Sequence, residues 1–224
     1  MRALESKEYL PNGLYLLQDD RYFKLGQDSM VLAAFARVGR RARLLDLGCG
    51  AGALALLCHR PDLTITGLEL QDGPAALFER SVALNGLDNV TVLRGDLREI
   101  ACLLPAGCMD YVVCNPPYFA AGSGKGAARA AHETARQDAS ATIDEVAAAI
   151  AHVLPTGGRC AIVFRPERLG TLLRALDGRR LIPKRMRFVH GRAALPPSAV
   201  LVECRKDSRD GLAVEPPLII ANQP

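Results

Sequence analysis

Short apolar segments alternate with segments of helical pattern along most of the chain. The first four apolar segments end at, or just before, a polar side chain, namely Asp46, Glu69, Asp96 and Asn115. Strands that alternate with helices predict βαβ units and a mostly parallel sheet. Open α/β sheets bind their ligands at the carboxyl ends of such strands, so we expect these four side chains to line one site.

A glycine-rich loop follows the first apolar segment. Residues 43–56 predict a strand ending at Asp46, a loop with Gly48, Gly50 and Gly52, and then a helix rich in Ala and Leu. Glycines allow close backbone approach to a ligand, and the helix N-terminus offers free N–H groups. The spacing also fits a dinucleotide-binding fingerprint, whereas the Asp46 carboxylate suits an ammonium group better than a pyrophosphate.

Two more acidic residues follow the next two apolar segments. Glu69 lies beyond the glycine loop at about the distance, roughly 20 residues, at which an acidic residue binds ribose hydroxyls in nucleotide-binding folds. A carboxylate suits that position because it can accept hydrogen bonds from both hydroxyls of a vicinal diol. Asp96 follows the segment 90–94. It can serve a ligand, or cap the helical turn that begins at Leu97.

The fourth apolar segment ends in a rigid polar motif. Residues 110–119 predict a buried strand that stops at Asn115, because the two prolines that follow have no N–H to donate to a sheet. An amide side chain, a backbone carbonyl and the ring of Tyr118 are thereby held close together. The motif predicts a site that accepts hydrogen bonds and stacks on a planar group.

The composition is that of a globular protein. The 224 residues suffice for one α/β domain, alone or with a small appendage, and 49% of them are hydrophobic. Seven cysteines without a Cys-x-x-Cys pair predict free thiols in a reducing compartment. The charged N-terminus and the lack of a long apolar run predict a cytoplasmic protein that does not enter a membrane. The histidines and cysteines lack metal-ligand spacing, so we expect no metal.

Positive charge is concentrated late in the chain. Residues 159–209 carry 13 Lys or Arg against 4 Asp or Glu, although the whole chain has a net charge of only +4. A basic segment of this kind indicates a polyanionic partner, with nucleic acid as the first candidate. Solvated helix faces would produce the same composition.

With these motifs together, the chain resembles class I S-adenosylmethionine-dependent methyltransferases of the Asn-Pro-Pro-Tyr type. It resembles in particular the bacterial tRNA1(Val) adenine-37 N6-methyltransferase family. The resemblance extends from about Tyr9 to Ile220. It includes the motifs above and the segments 23–30, 128–133, 157–168 and 183–189.

The resemblance implies an α/β, Rossmann-like fold with a mostly parallel, seven-stranded sheet and helices on both faces. A hairpin over residues 9–26, and a helix capped by Asp28 or Ser29, are expected to form a short N-terminal extension. We therefore divide the chain into an extension, 1–40, packed on a methyltransferase domain, 41–224.

The implied reaction transfers a methyl group from S-adenosylmethionine to the N6 amine of an adenine in RNA, and specifically in tRNA, leaving S-adenosylhomocysteine. The adenine amine is a poor nucleophile because its lone pair is delocalised. The Asn115 oxygen and the Pro116 carbonyl are expected to accept hydrogen bonds from the two N–H groups of this amine, and Tyr118 is expected to stack on the base. Asn115, Pro116 and Tyr118 are therefore the predicted catalytic residues.

The resemblance also implies which residues bind the cofactor and the substrate, with Asp96 accepting from the adenine amine of the cofactor. The predicted cofactor-binding residues are Asp46, Gly48, Gly50, Gly52, Glu69, Leu70, Asp96 and Asn115. The predicted substrate-binding residues are Tyr118, Phe119, Lys125, Arg129, Lys184, Arg185 and Arg187. We assign His132 and Glu133 a structural role. RNA is the expected partner of a monomer or homodimer.

Three alternatives compete with this function. The same acceptors would serve the glutamine amide of a release factor, although only about 40 residues precede the first strand of the domain here. A non-catalytic RNA-binding protein with a retained cofactor fold is a second alternative, but it would not need Asn115 and Asp46. A nicotinamide-dependent oxidoreductase is a third, but nothing in it requires the Asn-Pro-Pro-Tyr motif.

Overall fold

A mostly parallel sheet lies at the centre of the computed structural model, which describes residues 5–22, 24–116 and 141–220. Its seven longer strands are β3 (Arg43–Leu47), β4 (Thr64–Glu69), β5 (Val90–Arg94), β6 (Tyr111–Cys114), β7 (Arg159–Phe164), β8 (Leu181–His190) and β9 (Ala199–Lys206). The strands β3 to β7 pair in parallel, and β9 is antiparallel to both of its neighbours, β7 and β8. The predicted fold class and the hairpin before it are confirmed.

Two short strands enlarge the predicted seven-stranded sheet to nine within the described residues. They are β10 (Ala213–Val214) and β11 (Leu218–Ile219), and both pair in parallel with β8. Two-residue strands lack a periodic pattern, so the sequence carries no signal for them.

Helices cover both faces of the sheet. They are α1 (Gln27–Phe35), α2 (Ala53–Leu57), α3 (Asp72–Leu84), α4 (Ile100–Leu103), α5 (Ile143–Val153) and α6 (Leu169–Asp177). Strands buried on both faces are expected to be continuously apolar. Alternate residues of β3 accordingly enter different apolar layers: Leu45 packs with Ile150 of α5, and Leu44 packs in the layer of Leu32 from α1 and Phe78 from α3.

The N-terminal hairpin consists of β1 (Glu5–Tyr9) and β2 (Tyr15–Asp19) and so begins and ends earlier than predicted. The side chain of Asn85, the C-cap of α3, binds the N–H and the carbonyl of Tyr15, at 2.8 and 2.7 Å. Leu10 and Leu16 are fully buried in the layer of α1 to α3. The hairpin therefore packs on the same core as the domain, while the boundary near residue 40 stays a prediction.

The helix α1 begins differently from the prediction. Its N-cap is Gly26, and neither Asp28 nor Ser29 occupies the capping position. Ser29 lies inside the first turn and is 8% exposed. Its hydroxyl is turned towards the end of β6, as described below, and therefore does not cap the helix.

No helix among the described residues is long and apolar enough to cross a membrane. Four of the seven free cysteines, Cys49, Cys114, Cys160 and Cys204, are buried. They pack as small apolar side chains in the two layers beside the sheet.

Candidate active site

The strand order reverses at β3, which pairs with β4 on one side and β6 on the other. Such a switch point leaves a crevice at the carboxyl ends of the strands. Asp46 of β3 lies opposite Gly67 of β4 and Val113 of β6. This register brings the glycine loop after β3, Glu69 at the end of β4 and Asn115 after β6 to the same edge.

Three glycines shape the loop between β3 and α2. Gly48, Gly50 and Gly52 have φ of 76°, 55° and 84°, a left-handed conformation that favours glycine. A Cβ atom on Gly48 or Gly50 would meet no protein atom within 4 Å, whereas one on Gly52 would lie 2.0 Å from the Phe78 ring. The first two glycines therefore border open space that a ligand can enter, and the third is required by packing.

We expect Gly52→Ala to lower the free energy of unfolding by about 3 kcal/mol or more, because it combines overpacking with left-handed strain. Gly50→Ala is the matched control. It introduces the strain without the clash, so a loss of about 1 to 2 kcal/mol is expected. Urea unfolding of both variants measures the difference. Equal losses would contradict the packing role of Gly52.

Asp46 lies beneath the loop and is 1% exposed. Its Oδ2 atom accepts a hydrogen bond of 2.9 Å from the N–H of Ala55 in α2, which ties that helix to the end of β3. Burial raises the pKa of Asp46 to about 7; the Ala55 N–H opposes this shift, and the nearby Glu69 carboxylate adds to it. The residue can thus exchange a proton near neutral pH.

The raised pKa makes the stability of the ligand-free protein pH-dependent. The pKa of an aspartate in the unfolded chain is about 3.9, so the favourable contribution of protonated Asp46 is complete below about pH 4. It is lost as the pH rises through about 7. We expect Asp46→Asn, which keeps an oxygen for Ala55 but cannot ionise, to remove this loss.

Urea unfolding near pH 5 and near pH 8 measures this effect. Because one pKa unit corresponds to about 1.4 kcal/mol, the wild-type protein should lose a few kcal/mol more than the variant between the two values. The same pH dependence in both proteins would contradict the raised pKa.

Glu69 joins the glycine loop to the end of β4. Its Oε2 atom accepts from the N–H of Gly50, and its Oε1 atom accepts from the N–H of Gln71, each at 2.9 Å. The side chain is 7% exposed. Each carboxylate oxygen can accept a second hydrogen bond, so the two backbone contacts fix the carboxylate and leave capacity for a diol. Leu70, beside it, is 45% exposed.

Asp96 caps the turn that follows β5, which is the alternative role that the sequence allowed. It accepts from the Arg98 N–H at 2.9 Å and also binds the Arg98 guanidinium. The hydrogen bonds of that guanidinium hold the pKa of Asp96 below its usual range. The carboxylate is therefore ionised at neutral pH. Because Asp96 is only half-buried, it still borders the solvent.

Asn115 is half-buried directly after β6, and Pro116 beside it is buried. The Asn115 Nδ2 atom donates a hydrogen bond of 3.2 Å to the Ser29 Oγ atom of α1. This contact turns the other end of the amide, its Oδ1 atom, away from Ser29. Ser29 is not among the site residues predicted from the sequence, although it lies in the segment 23–30 that contributes to the resemblance.

Several predicted residues lie outside the part of the chain that the structure describes. They are Tyr118, Phe119, Lys125 and Arg129, together with His132 and Glu133. Their assignments stay predictions.

The three basic residues predicted to bind substrate on β8 each contact the C-terminal segment. The Lys184 Nζ atom donates to the Arg209 carbonyl at 2.6 Å, and the Arg187 Nε atom donates to the Pro216 carbonyl at 2.9 Å. Lys184 and Arg187 are half-buried in these contacts.

Arg185, also predicted to bind substrate, makes its contacts within the fold. Its side chain is 12% exposed and pairs with Glu203 at 3.1 Å and Glu215 at 2.8 Å. It also lies over the Phe35 ring, with the guanidinium carbon 4.3 Å from the ring centre. Glu203, itself buried, also accepts from the Tyr111 hydroxyl at 2.6 Å. A buried charge needs such partners, so the guanidinium of Arg185 is committed to contacts within the fold.

No group of three or more His, Cys, Asp and Glu side chains that could hold a metal ion occurs among the described residues.

Comparison with known proteins agrees with this geometry. The family model of the methyltransferase small domain matches residues 24–171. The tRNA1(Val) (adenine(37)-N6)-methyltransferase of Yersinia pestis is 30% identical over 171 residues, covering 74% of this chain and 67% of the relative. The enzyme of the same name from Shewanella halifaxensis is 26% identical, covering 71% and 65%. The matched region thus spans about 65% of the relative from Shewanella.

A crystal structure of a predicted O-methyltransferase from Agrobacterium tumefaciens superposes with a TM-score of 0.70, at 22% identity, covering 87% of this chain and 88% of that one. This likeness supports the fold. The family model covers well over half of the sequence. The chain is therefore a member of the methyltransferase small domain family.

Proposed function

We propose that the protein transfers a methyl group from S-adenosylmethionine to the N6 amine of an adenine in tRNA. The observation that carries this function is the position of Asn115: it follows β6, beside the glycine loop, and is held by Ser29. Membership of a methyltransferase family supports the cofactor that the sequence predicted. S-adenosylmethionine supplies an electrophilic methyl group on a sulfonium.

The residues around the crevice fit that cofactor. Gly48 and Gly50 border the open space in which no Cβ atom would meet the protein. Glu69 has two fixed oxygens for the ribose diol, and Asp46 supplies a carboxylate next to the loop for the ammonium group. Gly52, Leu70 and Asp96 complete the proposed set.

Asn115 and Pro116 would then act on the target amine. The Oδ1 atom of Asn115 and the carbonyl of Pro116 each accept a hydrogen bond from one N–H of the target amine. These two bonds favour a pyramidal nitrogen whose lone pair is available for attack. Fixed acceptors of this kind lower a barrier because they need no reorganisation during the reaction. Tyr118 stacks on the flipped-out base.

The tRNA substrate rests on the names of the relatives and on the positive charge of residues 159–209. Within that segment Arg185 is committed to the fold. Lys184 and Arg187 remain in the substrate proposal because they are only half-buried by their contacts with the C-terminal segment. Phe119, Lys125 and Arg129 also remain in it. This function requires a location in the cytoplasm, where tRNA is available.

Incubation with methyl-labelled S-adenosylmethionine and unmodified tRNA, or with a release factor, tests the proposal. We expect label in the tRNA and none in the release factor. Label in the glutamine amide alone would replace the adenine substrate by the protein substrate. Absence of cofactor binding in calorimetry would end the methyltransferase proposal altogether.

A further inference from the structure

An arginine-rich cleft lies at the amino-terminal edge of the sheet, opposite the candidate active site. The cleft encloses about 360 Å³ and involves the residues before β3, β6 and β7. Four arginines and one acidic residue supply its charge, namely Arg37, Arg40, Arg41, Arg159 and Asp110. Strands β3, β6 and β7 are parallel, so this edge is a full strand length, about 17 Å for five residues, from the glycine loop.

Most charges near this cleft are already paired. Asp110 binds Arg43 at 2.8 Å, Arg37 binds Glu215 at 3.3 Å, and Arg159 lies 3.6 Å from Glu203. Among the ion pairs of the described residues, none includes the guanidinium of Arg40 or Arg41. Two exposed positive charges therefore remain uncompensated at the cleft.

The turn that carries these two arginines is fixed by its neighbours. Arg60 donates to the carbonyls of Val38 and Gly39, at 3.2 and 2.6 Å. The Arg41 N–H donates to the Asp62 carboxylate at 2.9 Å, and Arg41 adopts a left-handed φ of 54°. The backbone is thus ordered before any ligand binds, which reduces the entropic cost of binding.

The residues that line the cleft favour a phosphate group over a nucleobase or a small organic molecule. Small-molecule sites are mostly apolar and aromatic, whereas this cleft is lined mainly by charged side chains. Its one aromatic residue, Tyr111, is 2% exposed, and its hydroxyl is bonded to Glu203. A nucleobase finds no ring to stack on, while the guanidinium groups can bind phosphate oxygens.

We infer that Arg40 and Arg41 bind the phosphate backbone of the RNA substrate at nucleotides remote from the methylated base. This inference rests on the proposed function for the identity of the polyanion. The contact is independent of base sequence and adds affinity that salt weakens.

Fluorescence anisotropy with a labelled oligouridylate, measured over a range of salt concentrations, tests the inference. The slope of log K against log salt is negative, and each phosphate contact on a single strand adds about 0.7 to its magnitude. Arg40→Gln/Arg41→Gln should therefore reduce the magnitude of the slope by about 1.4. The control, Lys7→Gln/Arg80→Gln, removes the same charge from β1 and α3, where Arg80 is paired with Glu5. It should keep the wild-type slope.

Equal slopes for wild-type protein and the Arg40/Arg41 variant, with unchanged thermal unfolding, would overturn the inference. So would displacement of the oligonucleotide by low millimolar inorganic phosphate at constant ionic strength, because this would indicate a site for a small phosphate ligand. Oligouridylate contains no adenine, so its binding does not depend on methylation. A protein that binds it through the cleft but methylates no RNA would refute the proposed function alone.

Discussion

Asn115→Ala is expected to abolish most methyl transfer while the affinity for S-adenosylmethionine stays near the wild-type value. The variant removes the amide oxygen that would accept an amine hydrogen as the nitrogen becomes pyramidal. Loss of one preorganised hydrogen-bonding group in an active site lowers kcat about 100- to 1000-fold. Single-turnover kinetics with tRNA and calorimetry with the cofactor separate the two effects.

Three further variants control this result. Asn115→Asp keeps an acceptor oxygen and should retain more activity than Asn115→Ala. Ser29→Ala removes the group that binds the Asn115 Nδ2 atom at 3.2 Å, and should lower kcat about tenfold or less without changing the KM for cofactor. Ser29→Thr, which restores a hydroxyl, should recover part of that loss. Near-normal turnover by Asn115→Ala would show that Asn115 is not the acceptor.

Glu69→Ala is expected to weaken cofactor binding about 100-fold. The carboxylate is fixed by the N–H groups of Gly50 and Gln71, and its remaining acceptor capacity would bind the ribose diol. A hydrogen bond to a charged group contributes about 1.5 to 3 kcal/mol, so the loss of two bonds at the low end of this range accounts for a change of about 100-fold. Calorimetry measures the affinity directly.

Glu79→Ala is the matched control for Glu69. Glu79 is a carboxylate on α3 that pairs with Arg94 at 2.7 Å, and its side chain is 46% exposed. Its removal should leave cofactor affinity unchanged. If Glu69→Ala also binds the cofactor normally while its thermal unfolding is unchanged, the ribose contact of Glu69 is refuted.

The sheet and the edge that carries the site could be predicted from the sequence because both depend on local patterns. Apolar segments of four to six residues, each ending at or just before a polar side chain, specify parallel strands with their ligand edge. Asp46, Glu69 and Asn115 consequently lie at one edge, as the order of the strands requires.

Contacts between residues far apart in the chain could not be predicted in this way. Ser29 and Asn115 are 86 positions apart, and nothing near Ser29 in the sequence distinguishes a helix cap from a partner for the amide. Arg185 and Arg187 alternate with the apolar Met186 and Phe188 on β8, as exposed arginines would. Only the pairing of β8 with β9 brings Arg185 to the buried Glu203.

The proposed methylation of the N6 amine of an adenine in tRNA can be tested in cells. Mass spectrometry of tRNA nucleosides from a strain that lacks the gene, complemented with wild-type protein or with Asn115→Ala, tests it most directly. We expect N6-methyladenosine to disappear in the deletion strain, to return with the wild-type protein and to stay absent with the variant. An unchanged amount of N6-methyladenosine in the deletion strain would contradict the claim.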